Sequence, residues 1–264
     1  MHPISRRFIV AAKHPFQNFT VDHMTLLLQP RLYSVAYCIF RIIFGTTPDD
    51  LLYEKRRKNK DGEKSMTFAT RVGEWTKKDE NLTTVIAVVQ PSEADSEPSH
   101  VREMLDGHES AAHWQHIALR TPDLISFHKH CLDRGVNFVT PILKDEHDNL
   151  IQVFSGEWFF PGSKPSGMFF EFLQRDPSSE EVARVQRETQ QTWFRDETFL
   201  GLYGEKEREY QSGKVLPFLP EELFEAISKK IGTKQVWQIS EDDLAQIEGL
   251  MLDYGKKRRD AKKA

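Results

Sequence analysis

Hydrophobic and polar positions follow two different periods along this chain, and the switches between them divide it into elements. Residues 19–28 form a crowded apolar run rich in Leu, Val and Thr, a strand pattern closed by Pro30. Residues 31–44 are apolar on most faces of a helical wheel, which predicts a buried helix. Strand-like runs follow at 51–57, 65–72 and 83–89, the first two separated by the turn signal Lys60-Asp61-Gly62-Glu63. A polar linker over 91–98 and a short helix over 99–107 lead to a second round of the same order. Residues 113–120 read as a strand, Pro122-Asp123 opens a helix that Gly135 ends, and 136–141, 150–154 and 168–173 are strand-like. Behind an N-terminal arm (1–18), residues 19–176 thus read as two tandem β-α-β-β-β units, a structural repeat with little residue identity. The fold class is α+β, a half-open barrel built from two such units side by side.

Beyond residue 176 the pattern turns helical. Ser178 or Ser179 can cap a helix over 180–194, and another runs over 199–210, so that 177–213 would close the barrel. Residues 214–264 form an extension, with a helix over 221–230 and a last helix opened by the capping-box pair Ser240 and Asp243.

Composition narrows the function classes. At 264 residues the chain can build a large core, and a net charge of −4 gives no overall basic field for nucleic acid. The last ten residues alone carry +5, from Lys256, Lys257, Arg258, Arg259, Lys262 and Lys263 against Asp260, and read as a solvated, frayed terminus. Cys38 and Cys131 fall in apolar helical patterns, as reduced core residues of a cytoplasmic protein. The apolar run 8–12 behind Arg6 and Arg7 is too short for a signal peptide, and Arg31 and Arg41 bound the most hydrophobic stretch short of a membrane span. The 18 phenylalanines favour an aromatic-lined interior.

Three segments carry the candidate chemistry: Val21-Asp22-His23-Met24, Trp114-Gln115-His116-Ile117-Ala118-Leu119 and Met168-Phe169-Phe170-Glu171-Phe172-Leu173-Gln174-Arg175. Each sets an ionisable side chain in an apolar strand, which costs several kcal/mol unless something compensates it. Taken singly, a strand histidine is an ordinary hydrogen-bonded core residue. Together, His23, His116 and Glu171 match the two-histidine, one-carboxylate set that binds non-haem Fe(II) and leaves positions open. The repeat puts His23 and His116 on equivalent first strands and Glu171 on the last strand of the second unit. His113 has the opposite strand parity to His116, while His100, His108, His128 and His130 read as surface residues.

Gln115-His116-Ile117-Ala118-Leu119, then Leu150-Ile151-Gln152-Val153-Phe154, then Phe169-Phe170-Glu171-Phe172-Leu173-Gln174-Arg175 resemble the catalytic half of the 4-hydroxyphenylpyruvate dioxygenase family, of the vicinal oxygen chelate superfamily. The resemblance runs over 19–210. It implies one Fe(II) per chain held by His23, His116 and Glu171, with Gln115 and Gln152 as catalytic residues. It also implies substrate contacts from Ser65, Gln90, Phe154, Phe169 and Phe199, the two inner phenylalanines sandwiching an aromatic ring. Strand parity supports the pairs Gln152 with Phe154 and Phe169 with Glu171, but not Gln115 beside His116, which needs a local twist. Gln90 and Thr198 stand where the family has Asn, and the family's N-terminal pair of units has no counterpart ahead of His23.

The resemblance implies oxidative decarboxylation and hydroxylation of a 2-oxo acid, an aryl pyruvate, with O2 as co-substrate. Alternatives are a hydroxymandelate-forming enzyme, an extradiol ring-cleaving dioxygenase, and a non-catalytic binding protein of the same fold. Lone sheet edges and the extension 214–264 point to a homodimer. No nucleic-acid or membrane partner is expected.

Overall fold

Strand β1 (Thr20–Leu28) lies at the centre of the sheet because both its faces are apolar enough to be covered. Leu27 packs with Val101, Met104 and Leu105 of one helix, while its neighbour Leu28 packs with Tyr33 and Phe40 of another. The computed structural model describes residues 14–59, 62–73, 84–145, 149–160, 162–189 and 197–263. The first unit continues with α1 (Pro30–Ile42), β2 (Leu51–Asn59), β3 (Gly62–Val72) and β4 (Thr84–Pro91). Helix α2 (His100–Gly107), capped by the Ser99 hydroxyl on the Arg102 amide, leads to the second unit. That unit comprises β5 (Ala112–Arg120), α3 (Leu124–Asp133), β6 (Leu143–Asp145), β7 (Leu150–Phe154) and β8 (Phe169–Arg175).

The strands form one curled sheet in the order β2-β3-β4-β1-β5-β8-β7-β6. β1 and β5 meet antiparallel at its centre, and each pairs parallel with the last strand of its own unit, β4 or β8. The two halves are therefore related by a pseudo-twofold axis between β1 and β5. On the outer face α1 covers Phe68 and Val88 of the first unit, and α3 covers Ile151, Val153 and Phe172 of the second. The concave face carries His23, Thr25 and Leu27 from β1 and, through the cross-strand register, residues of β5 and β8.

Among the described residues four α-helices follow: α4 (Ser179–Thr189), α5 (Glu197–Ser212), α6 (Glu221–Ile231) and α7 (Glu241–Lys263). Ser178 and Glu181 form a capping box on α4, as Ser240 and Asp243 do on α7. The extension folds back on its own second unit. Gly135 ends α3 with φ +79°, against Leu223 of α6 and Tyr254 of α7. Gly255 lies so close to α3 that an added Cβ would stand 2.1 Å from the Asp133 carbonyl oxygen.

Several expectations are corrected. Helix α1 is an outer layer covered on one side only: Tyr33 and Phe40 are buried, but Ile42 and Ile43 are 77% and 72% exposed. Cys38 lies on that open side, so only Cys131 is a core thiol. Residues 136–141 make a single bridge, Phe138 to Ser155, and β6 starts at Leu143 because Pro141 has no N–H for a ladder. The basic run at the C-terminus is helical, with Arg258 bonded to Asn137 Oδ1 and Arg259 paired with Asp133. The expected helix over 180–194 is described as far as Thr189, and the rest lies outside the described residues.

Candidate metal centre

His23, His116 and Glu171 converge at the centre of the concave face. His23 Nε2 and His116 Nε2 are 3.4 Å apart, and Glu171 Oε2 lies 3.4 Å from the first and 3.3 Å from the second. The triangle follows from register: His23 pairs with Ala118, and Ala118 with Glu171, so the two ligands flank one small residue. His116 and Glu171 are 2% and 4% exposed, and His23 faces the opening. Donors about 2.0–2.2 Å from one ion and subtending roughly a right angle lie about 3 Å apart, so the triangle fits a metal held on one side. Among the described residues it is the only group of three such ligands brought within reach of one ion.

Electrostatics distinguish the three. Burial alone would lower His23, but the Glu171 charge and hydrogen bonds to Asp22 and Glu171 outweigh it and raise its pKa to about 9. Burial alone would raise Glu171, yet the His23 charge, with the His116 ring alongside and the bond from His23, brings it to about 2. His116 is lowered by burial despite Glu171, and stays neutral. Metal-free, the site is thus an imidazolium–carboxylate pair beside a neutral imidazole. Thr25 Oγ1, at 2.9 Å, donates to His116 Nε2. A metal ion held here would replace the His23 Nε2 proton.

The other ring nitrogens are also occupied. His23 Nδ1 is 3.1 Å from Asp22 Oδ1, and His116 Nδ1 is 3.0 Å from Gln115 Oε1. Asp22 is gripped by Arg175 through two bonds of 2.7 Å, and its carboxyl is held well below the usual range: the His23 and Arg175 contacts outweigh burial. The Gln115 amide donates to His100 Nε2 at 3.2 Å. His100 is buried and not on the surface, and burial beside the Lys206 charge lowers it to about 3, so it is neutral.

The remaining expected site residues divide by strand face. Gln152 and Phe154 share the face of Glu171, Phe154 being its direct partner. Phe169 stacks on the His116 ring with centroids 5.2 Å apart. Phe154 and Phe169 meet edge to face at 6.2 Å, so a ring cannot lie between them until they part. Ser65 is fully buried on the concave side of β3, and its hydroxyl has no partner among the described residues. Gln90 is not brought to the site: it pairs with Met66 on the α1 side, and its amide reaches the Met66 sulfur at 3.4 Å. One residue decides this, because Val89 and Gln90 point to opposite faces. Phe199 falls on α5, with its side chain outside the described residues.

Sequence reasoning missed Thr25, although its strand parity with His23 marks it. It also missed a buried ion pair on the closing helix. Lys206 of α5 lies 3.1 Å from Glu157, both fully buried, and 2.8 Å from Glu209. Glu157 further accepts from the Tyr210 hydroxyl and the Gly167 amide. The Lys206 ammonium sits 5.1 Å from the centre of the Phe169 ring.

No family model matches the sequence, and no curated protein resembles it closely enough to register. Solved structures do match its fold. A triple mutant of 4-hydroxymandelate synthase from Streptomyces coelicolor aligns with a TM-score of 0.52 at 16% identity, over 73% of this chain. The aligned part spans 55% of that synthase's length. Methylmalonyl-CoA epimerase from Mycobacterium tuberculosis aligns with a TM-score of 0.43 at 18% identity, over 62% of this chain and 91% of its own. With its curled eight-stranded sheet and paired β-α-β-β-β units, this chain has the vicinal oxygen chelate fold.

Proposed function

We propose that the chain is an Fe(II)-dependent dioxygenase acting on a 2-oxo acid, with an aryl pyruvate such as 4-hydroxyphenylpyruvate as the leading substrate. One observation carries this reading. Glu171 stands opposite Ala118 in the second unit, and the pseudo-equivalent position opposite Thr25 in the first is Ala87. Two symmetric units would supply four ligands; these supply three, and a site with three protein ligands keeps room for a chelating substrate and O2. Bound Fe(II) would supply the redox chemistry with O2 and an anchor for the carboxylate and keto oxygens of the 2-oxo acid.

The chain's own residues do the rest. Glu171 would offset the positive charge of the ion in a buried setting, and His23 would give up its Nε2 proton to admit it. Phe154 and Phe169 wall the site with apolar rings that exclude water, and one of them offers a face for an aromatic substrate. Ser65, whose hydroxyl on the concave face has no partner among the described residues, and Gln152, beside Phe154, are the polar contacts proposed for substrate.

Anaerobic titration of the Fe(II)-loaded protein with 4-hydroxyphenylpyruvate and phenylpyruvate tests the reading. The visible charge-transfer band of a chelated 2-oxo acid is expected with at least one of them, followed by oxygen uptake on admitting air. Binding of a catechol in place of both would favour the extradiol alternative. Absence of iron binding would leave a non-catalytic protein of the same fold. The fold match to a 4-hydroxymandelate synthase makes hydroxymandelate formation the second reading, and product analysis separates benzylic from ring hydroxylation.

The proposed setting is cytoplasmic, in keeping with two free thiols; among the described residues no helix is long and apolar enough to cross a membrane. The proposed macromolecular partner is a second copy of the chain, a reading supported by the open apolar side of α1. Sedimentation at tens of micromolar should give twice the chain mass, and a single-chain mass removes the homodimer.

A further inference from the structure

The β1–β5 ladder is interrupted twice, and each interruption falls immediately before a histidine of the metal centre. Asp22 is the extra residue between the pairs Val21–Leu119 and His23–Ala118. Gln115 is the extra residue between the pairs Thr25–His116 and Leu26–Trp114. In an unbroken strand, neighbours point to opposite faces, so neither residue could reach the ring that follows it. A bulge re-aims the side chain at the cost of local pairing. Here both bulges turn an oxygen acceptor onto Nδ1 of the next residue, at 3.1 Å in β1 and 3.0 Å in β5. The pseudo-twofold axis relates the two arrangements.

We propose that Asp22 and Gln115 are positioning residues, carried on this matched pair of bulges, that hold the Nδ1 proton of each histidine and aim its Nε2 at one shared ion. The inference rests on the three-ligand metal reading and extends it to residues that touch neither metal nor substrate. Gln115 is fully buried and turned to protein groups: its carbonyl serves His116, and its amide serves His100 and, at 4.0 Å, the Met104 sulfur. Asp22 is fixed in turn by Arg175, four residues beyond Glu171 on β8. The strand that delivers the carboxylate ligand therefore also braces the acceptor behind His23. The two acceptors differ in charge, an anion behind His23 and a neutral amide behind His116. Acceptors of this kind fix ring orientation and tautomer and raise ligand basicity, and their loss typically weakens metal binding by about 10–100-fold.

The test uses Co(II) affinity, measured by chelator competition on the full chain, with the thermal midpoint of each metal-free protein alongside. Gln115→Leu and Asp22→Ala should each weaken Co(II) binding by about 10–100-fold. Gln115→Glu and Asp22→Asn, which keep an oxygen at the same place, should recover most of it. A purely structural role would shift the midpoint and leave the affinity of the folded fraction unchanged, which overturns the proposal. In the Zn(II)-loaded wild type, long-range 1H–15N spectra should show Nδ1 protons on both rings that exchange slowly with solvent. A fast-exchanging proton on either ring also counts against it, independently of any variant. Loss of aryl-pyruvate affinity in Gln115→Leu with Co(II) affinity intact would return Gln115 to a substrate-touching role. Wild-type protein that binds neither ion overturns the metal reading and this inference together, whereas wild type that binds while Gln115→Leu binds equally well overturns the inference alone.

Discussion

His23 is the residue on which protons and the proposed metal would compete. Its pKa in the folded, metal-free chain is raised to about 9, against about 6.5 in an unfolded chain. A raised value means that the proton stabilises the fold. That contribution is complete below about pH 6.5 and is lost as pH rises through 9, so the thermal midpoint of metal-free protein should fall across this window. Glu171 contributes with the opposite sense: its value of about 2 gives stability that is present above its ordinary 4.5 and lost as pH falls through 2. Because Co(II) must displace the His23 proton, its affinity should climb about tenfold per pH unit from 7 and level off near 9. A pH-independent affinity would show that His23 is not a ligand. Glu171→Ala removes both the third ligand and the counter-charge of His23, and Co(II) binding should then drop below detection in the same assay. The convergence of the three side chains was legible in the sequence because an ionisable side chain among strand phenylalanines, as Glu171 is, needs a compensating partner. Their outer partners were not, because Gln115 and Asp22 reach the rings only through bulges, which depend on the register between two strands.

Among the elements, α5 is held to the sheet by a charge that no solvent reaches. Lys206 neutralises part of the Glu157–Glu209 pair, and Glu157 belongs to the segment that leads into β8. Removing one partner of a buried pair leaves the other charge uncompensated, at a cost of about 3–5 kcal/mol. Lys206→Met should therefore lower stability by that amount in urea unfolding. Glu157→Gln combined with Lys206→Met should recover part of the loss. Equal stability of Lys206→Met and wild type would mean that α5 leaves the sheet easily. The order of elements and their caps could be read from the sequence, since Ser240 with Asp243 and Pro30 act within a few residues. The apolar pattern of α1 was misleading: hydrophobicity on most faces suggested burial, but only the side bearing Tyr33 and Phe40 meets the sheet. Likewise β6 lies beyond Pro141 and not over 136–141, because Pro141 lacks an N–H for a ladder.

At the scale of the whole molecule, the C-terminal extension is docked through contacts that leave no space for a side chain. Gly255 on α7 sits against the Asp133 carbonyl, and Gly135 faces Leu223 and Tyr254. Gly255→Ala forces backbone apart, and overpacking of this kind costs about 1–3 kcal/mol. Denaturant unfolding should show that loss, and limited proteolysis should release α7 sooner; an unchanged profile would mean the docking is loose. The sequence by itself determined the two-unit repeat, the three ionisable side chains of the candidate site and the strand parity that puts Gln152 with Phe154 and Phe169 with Glu171, because each depends on spacing along a single strand or on the order of elements. Tertiary structure alone decided that Gln90 faces α1, that His100 is buried behind Gln115 and that Ala87 occupies the place pseudo-symmetry would give a fourth ligand. Those features depend on which strand pairs with which, at what register, and on what lies against the outer face, and residues distant in sequence set all three.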